Sequence, residues 1–149
     1  MIEKQGREKA APRSAHKSIV VVVDDEPPIL DSLRRLLRKE PYELVTTGDP
    51  LEALKWIETH DVSVLITDER MPEMRGVDLL KAVRERSPTT VRVVLTGYPN
   101  SGMIIERVNK GIQRLITKPW NDEELKRTIR DLIEERAAEK RTLGVPEGK

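Results

Sequence analysis

The sequence predicts an α/β fold in which a parallel sheet is covered by helices on both faces. Short β-branched or apolar runs alternate with segments whose apolar residues recur at helical spacing, through five such repeats. The first run, Ser18–Val23, carries four consecutive valines, as a strand buried on both faces would. The runs end in residues able to do chemistry: Asp24-Asp25, Asp68, Thr96 and Lys118.

Each element has a local reason. After the first strand, Pro27 and Pro28 open a helix, where a missing N–H is tolerated, and Ile29, Leu30, Leu33, Leu36 and Leu37 form its apolar stripe. Pro41 ends it. Tyr42–Thr47 is a weaker second strand. Asp49-Pro50 then starts a helix with Leu51, Leu54 and Ile57, Asp49 being placed to cap it. Val62–Thr67 is the third strand and runs into Asp68. Past Met71-Pro72, Gly76 leads into a helix with Leu79, Leu80 and Val83 that stops near Pro88. Val91–Leu95 is the fourth strand, ending at Thr96. Met103, Ile104, Ile105 and Val108 mark a helix closed by Gly111. Gln113–Thr117 is the fifth strand, ending at Lys118-Pro119. Asn121 and Glu124 make a capping-box start for the last helix, which carries Leu125, Ile129, Leu132 and Ile133.

The ends of the chain are poorer in apolar residues. Residues 1–17 read as a flexible basic tail, 18–136 as one domain, and 137–149 as a helical extension or linker with a loose end. Glu134–Arg141, nearly all charge and alanine, reads as solvated.

A length of 149 residues suits one domain with a single core. Charged residues make up 36% yet sum to a net charge of +1, so no bulk charge favours nucleic acid or an acidic membrane. The absence of cysteine excludes disulfides, thiol catalysis and cysteine–zinc sites. Ile19–Val23 is too short for a signal-peptide core or a membrane span, so a cytoplasmic protein is expected.

In sheets of this kind the ligand site lies outside the carboxyl ends of the strands. That rule selects Asp24, Asp25, Asp68, Thr96 and Lys118. Three carboxylates in one crevice repel one another, and a hard divalent cation relieves the repulsion. Magnesium suits the set, with Asp25 and Asp68 as direct ligands, Asp24 acting through water, and the Arg70 backbone carbonyl completing the protein's share. A carboxylate can also attack phosphorus, giving an aspartyl phosphate. Lys118 would supply an ammonium, Thr96 a hydroxyl, and Gly97 open space beside the phosphoryl group. His16 and His60 read as surface residues, and Trp56 and Trp120 as packing.

Val-Asp-Asp-Glu-Pro at 23–27, Thr-Asp-Glu-Arg-Met-Pro-Glu-Met-Arg-Gly at 67–76, Leu-Thr-Gly at 95–97 and Thr-Lys-Pro-Trp at 117–120 resemble the receiver domains of two-component response regulators. The resemblance implies a flavodoxin-like (βα)5 sheet of order 2-1-3-4-5. It implies that Asp68 takes a phosphoryl group from a sensor histidine kinase or phosphotransfer protein, with magnesium at Asp25 and Asp68 assisted by Asp24, and that the bond before Pro119 is cis. It implies a signalling face made by the fourth helix, the fifth strand and the last helix. Homodimerisation through that face, or contact with a downstream protein or fused output domain, is expected, with no direct nucleic-acid or membrane contact.

Two features depart from the common pattern. Leu115 stands where many receivers carry an aromatic switch residue, so a switch built on Thr96 and the loop after it is expected. Arg70 and Tyr98 flank the phosphoryl position and are expected to slow its hydrolysis. Two other functions share the same residues: a magnesium-dependent phosphatase with Asp68 as transient nucleophile and Glu69 or Glu73 as acid, and a binding module that never carries phosphate.

Overall fold

A computed structural model describes residues 17–97, 99 and 111–144. Tyr98, the helix expected around Met103–Val108, His16, and the chain ends before residue 17 and after 144 lie outside the described residues.

The elements follow in the order β1 (Ile19–Val23), α1 (Pro27–Leu37), β2 (Glu43–Thr47), α2 (Pro50–Thr59), β3 (Val62–Thr67), α3 (Gly76–Arg86), β4 (Val91–Thr96), β5 (Arg114–Thr117) and α4 (Asp122–Leu143). The strands form one parallel sheet of order β2-β1-β3-β4-β5. This is the flavodoxin-like order that the resemblance implied.

The valine run of β1 is explained by its two-sided burial. Val20 and Val22 face the core shared with Leu30, Leu33 and Leu37 of α1 and with Leu125, Ile129 and Leu132 of α4. Val21 and Val23 face the opposite core with Ala53, Leu54 and Ile57 of α2 and Leu79, Leu80 and Val83 of α3. Alternate residues of a strand point to opposite faces, so a strand with helices on both sides needs apolar residues at every position. Each such buried side chain contributes roughly 1.5–3 kcal/mol over leaving it exposed. The caps also form: Asp49 Oδ1 accepts from the Leu51 N–H at 2.9 Å, and Asn121 Oδ1 from the Glu124 N–H at 2.9 Å.

The end of α4 corrects one expectation. Arg136 and Lys140, inside the stretch read as solvated, are buried and continue the stripe of Leu125, Ile129 and Leu132. Arg136 Nη2 lies 2.6 Å from Asp61 Oδ1, and Lys140 Nζ lies 3.1 Å from Asp61 Oδ2. Arg136 Nε donates to the Thr89 carbonyl at 3.0 Å. Burial disfavours the Asp61 carboxylate, but hydrogen bonds and charge from Arg136 and Lys140 outweigh it and hold its pKa at about 2. The helix is therefore fastened beside the amino-terminal ends of β3 and β4, away from the strand ends where the acidic residues gather.

Candidate functional site

The sheet register assembles the site. β1 lies between β2 and β3, so the chain runs to one side of β1 and then crosses to the other. That reversal opens a crevice at the carboxyl ends of β1 and β3. Three residues just past a strand end are held by the neighbouring strand. The Asp24 N–H donates to the Thr47 carbonyl at 3.1 Å, the Asp68 N–H to the Val23 carbonyl at 2.9 Å, and the Lys118 N–H to the Thr96 carbonyl at 2.8 Å.

Asp24, Asp25 and Asp68 each present a carboxylate oxygen within 4.8 Å of the others. Asp24 and Asp68 are buried, and Asp25 is exposed at the mouth. Lys118 Nζ bridges the two buried carboxylates, 2.9 Å from Asp24 Oδ2 and 3.3 Å from Asp68 Oδ1. The other Asp24 oxygen accepts from the Glu26 N–H at 2.9 Å and so shapes the turn into α1. Burial and the nearby charge of Asp24 raise the pKa of Asp68, and Lys118 offsets only part of this. Burial also opposes the Lys118 charge, but Asp24 and Asp68 together outweigh it and raise its pKa. The contacts favour the ammonium more than Asp68 because Asp68 also faces a second carboxylate.

Three oxygen donors that repel one another, opening on solvent at Asp25, are the chemistry a hard divalent ion requires, and magnesium fits the set. Arg70 follows on the exposed rim, and the next residue, Met71, turns back into the core. Thr96 is buried at the end of β4. Among the described residues, an added Cβ at Gly97 meets Lys118 Cβ, at the ordinary contact distance of 3.9 Å. The Lys118–Pro119 peptide is cis. Leu115 sits on β5 beside Val94 and packs against the α2–α3 core. Tyr98 lies outside the described residues.

Sequence reasoning missed the work done by Glu69. Its carboxylate is buried and accepts from the Val77 N–H at 3.0 Å and from Arg75 Nε at 2.6 Å. A carboxylate committed in this way is not placed to serve as the general acid that a phosphatase would need. The available signal was Arg75, which has no oxygen with which to cap the helix that follows.

Residues 20–130 match the family model of the response regulator receiver domain. The chain is 43% identical over 122 residues to the hydrogenase transcriptional regulatory protein HoxA of Cupriavidus necator, covering 81% of this chain and 25% of that protein. The chain spans about a quarter of the length of that protein and of its Bradyrhizobium diazoefficiens counterpart. Among solved structures, it resembles the signal receiver domain of an HD domain-containing protein from Pseudomonas fluorescens Pf-5, with 32% identity and a TM-score of 0.77 over 82% of this chain and 98% of that one. The beryllofluoride-activated NtrC4 receiver domain dimer gives 33% identity and a TM-score of 0.73, covering 79% and 98%.

Proposed function

The chain belongs to the response regulator receiver domain family, and we propose that it accepts a phosphoryl group on Asp68 from a phosphohistidine of a sensor kinase or phosphotransfer protein. The observation that carries this is the Lys118 ammonium shared between Asp24 and Asp68. A nucleophilic carboxylate, an acidic neighbour and a mobile cation stand within contact of one another at the switch point of the sheet.

Asp24, Asp25 and Asp68, with the Arg70 carbonyl, would hold magnesium. When bound, the ion supplies positive charge that relieves the carboxylates and the incoming phosphoryl oxygens. An Asp68 oxygen forms the bond to phosphorus as the bond to the donor imidazole nitrogen breaks, and the electron pair stays on that nitrogen. Lys118 turns from Asp24 and Asp68 toward a phosphoryl oxygen, and the Thr96 hydroxyl donates to another. Gly97 leaves their approach open. Turnover is confined to the chain's own phosphorylation and dephosphorylation, and the product is a changed protein surface.

The readout of that state is also part of the proposal. Leu115 offers no ring to swing inward, so Thr96 and the loop after it carry the switch. The face built on β5 and the last helix would contact a downstream protein, a fused output domain or a second copy. Phosphorylation biases a two-state balance there. No described helix is long and apolar enough to cross a membrane, which is compatible with a cytoplasmic setting. The test is borohydride reduction of the chain after treatment with acetyl phosphate and magnesium. An acyl phosphate on Asp68 converts residue 68 to homoserine, seen by peptide mass. Conversion elsewhere, or none, contradicts the proposal.

A further inference from the structure

We infer that Glu69 is a positioning residue for the phosphoacceptor site, tying the backbone on either side of it to the N-terminus of α3. The inference rests on the reading of Asp68 as the phosphoacceptor and goes on to say what holds that residue in place.

A helix begins with N–H groups that have no partner inside it. α3 begins at Gly76, and its N-cap residue, Arg75, makes no side-chain cap. Glu69 supplies both missing acceptors. Its carbonyl accepts from the Gly76 N–H at 2.9 Å, and its carboxylate accepts from the Val77 N–H at 3.0 Å. Arg75 Nε donates to the second carboxylate oxygen at 2.6 Å and fixes its rotation. The Glu69 side chain is 4% exposed, so these charge-assisted bonds meet little competition from water.

The same residue reaches the nucleophile. Glu69 follows Asp68 directly in the chain, so its backbone N–H lies next to the Asp68 side chain. The start of the helix also lies against Asp68: a Cβ at Gly76 would stand 2.2 Å from the Asp68 carbonyl oxygen. Thr67 Oγ1 donates to that carbonyl at 2.9 Å. The Glu69 peptide therefore has α3 on one side and the reactive carboxylate on the other. Arg70, whose carbonyl is assigned to the metal, is the next residue along. A rotation of the Glu69 backbone would move the N–H beside Asp68 and the Arg70 carbonyl together. An ordinary serine or asparagine at position 75 could cap the helix locally, with no connection to Asp68. Using the residue next to the nucleophile joins helix and site.

The test compares wild type with Glu69→Ala, Glu69→Gln and Asp68→Asn. Magnesium affinity is measured by calorimetry, the phosphorylation rate with acetyl phosphate by intact mass, and Tm by circular dichroism. Loss of an outer partner of a metal site weakens affinity by about 10-fold or more. Glu69→Ala is expected to show that loss and a matching fall in phosphorylation rate at low magnesium. Glu69→Gln keeps an acceptor for Val77 and is expected to stay within about threefold of wild type. If Glu69→Ala does not fold, Glu69→Asp, which has a stem too short to reach Val77, takes its place with the same expectation. A folded Ala or Asp variant with lowered Tm but wild-type magnesium affinity and rate would make Glu69 a helix cap only and overturn the inference. A wild type that neither binds magnesium nor gains a phosphoryl group would instead overturn the reading of Asp68, and the inference with it. Residual phosphorylation of Asp68→Asn would point to the same failure.

Discussion

Lys118 Nζ stands 2.9 Å from Asp24 Oδ2 and 3.3 Å from Asp68 Oδ1, so one ammonium is the counter-charge for two buried carboxylates. Removing it leaves both unpaired. Lys118→Ala is expected to lose about 2 kcal/mol of stability without magnesium, read from the urea midpoint. Saturating magnesium should recover most of that loss. A loss that magnesium does not change would mean that Lys118 matters for packing rather than for charge.

The three carboxylates within 4.8 Å of one another carry more negative charge than one lysine balances. Asp68→Asn removes a charge from that set and is expected to raise Tm in chelator by a few degrees, about 1 kcal/mol. Wild type should gain about 2.7 kcal/mol from magnesium at a hundredfold excess over Kd, and Asp68→Asn much less. Thermal melts with and without chelator check both. Equal magnesium shifts in the two proteins would remove Asp68 from the metal set.

Gly76 and Gly97 flank the site and should respond differently to the same substitution. A Cβ at Gly76 would stand 2.2 Å from the Asp68 carbonyl oxygen, whereas among the described residues one at Gly97 meets Lys118 Cβ at 3.9 Å. Gly76→Ala is expected to cost about 3 kcal/mol or more and to slow phosphorylation. Gly97→Ala should stay within about 0.5 kcal/mol of wild type. Denaturant unfolding of the two variants decides between these expectations.

Asp61 predicts a pH dependence. Its folded pKa of about 2 lies below its ordinary value of 3.8, so its contribution is fully present above the ordinary value and is lost as pH falls toward 2. Asp61→Asn should therefore be less stable than wild type at neutral pH by about 2 kcal/mol, with the gap closing between about pH 4 and pH 2. Phosphorylation of Asp68 should be unaffected, because the contact lies at the other end of the strands. A constant gap across the acid range would contradict the ion-pair account.

What the sequence made legible follows from how local each signal is. The valine run and the helical stripes revealed the strands and helices because burial on two faces or one leaves its mark residue by residue. Asp24, Asp25, Asp68, Thr96 and Lys118 stood out because each ends a strand. Strand order is not a local property, and it came only with the family motifs. Arg136 and Lys140 were misread because an apolar stripe was sought, while the buried stripe continues in cations answered by Asp61, far away in the chain. Glu69 was missed for a related reason. Its partners lie across the Met71–Met74 loop, and a carboxylate beside Asp68 was read as a candidate acid instead of a helix cap.

The most direct test of the account is the intact mass of the chain after incubation with acetyl phosphate, with and without magnesium, for wild type and Asp68→Asn. One added phosphoryl group on wild type that requires magnesium, persists for minutes and is absent from Asp68→Asn is the predicted result. Steady release of inorganic phosphate with no adduct would support a phosphatase instead. An adduct of equal yield on Asp68→Asn would contradict the assignment of Asp68.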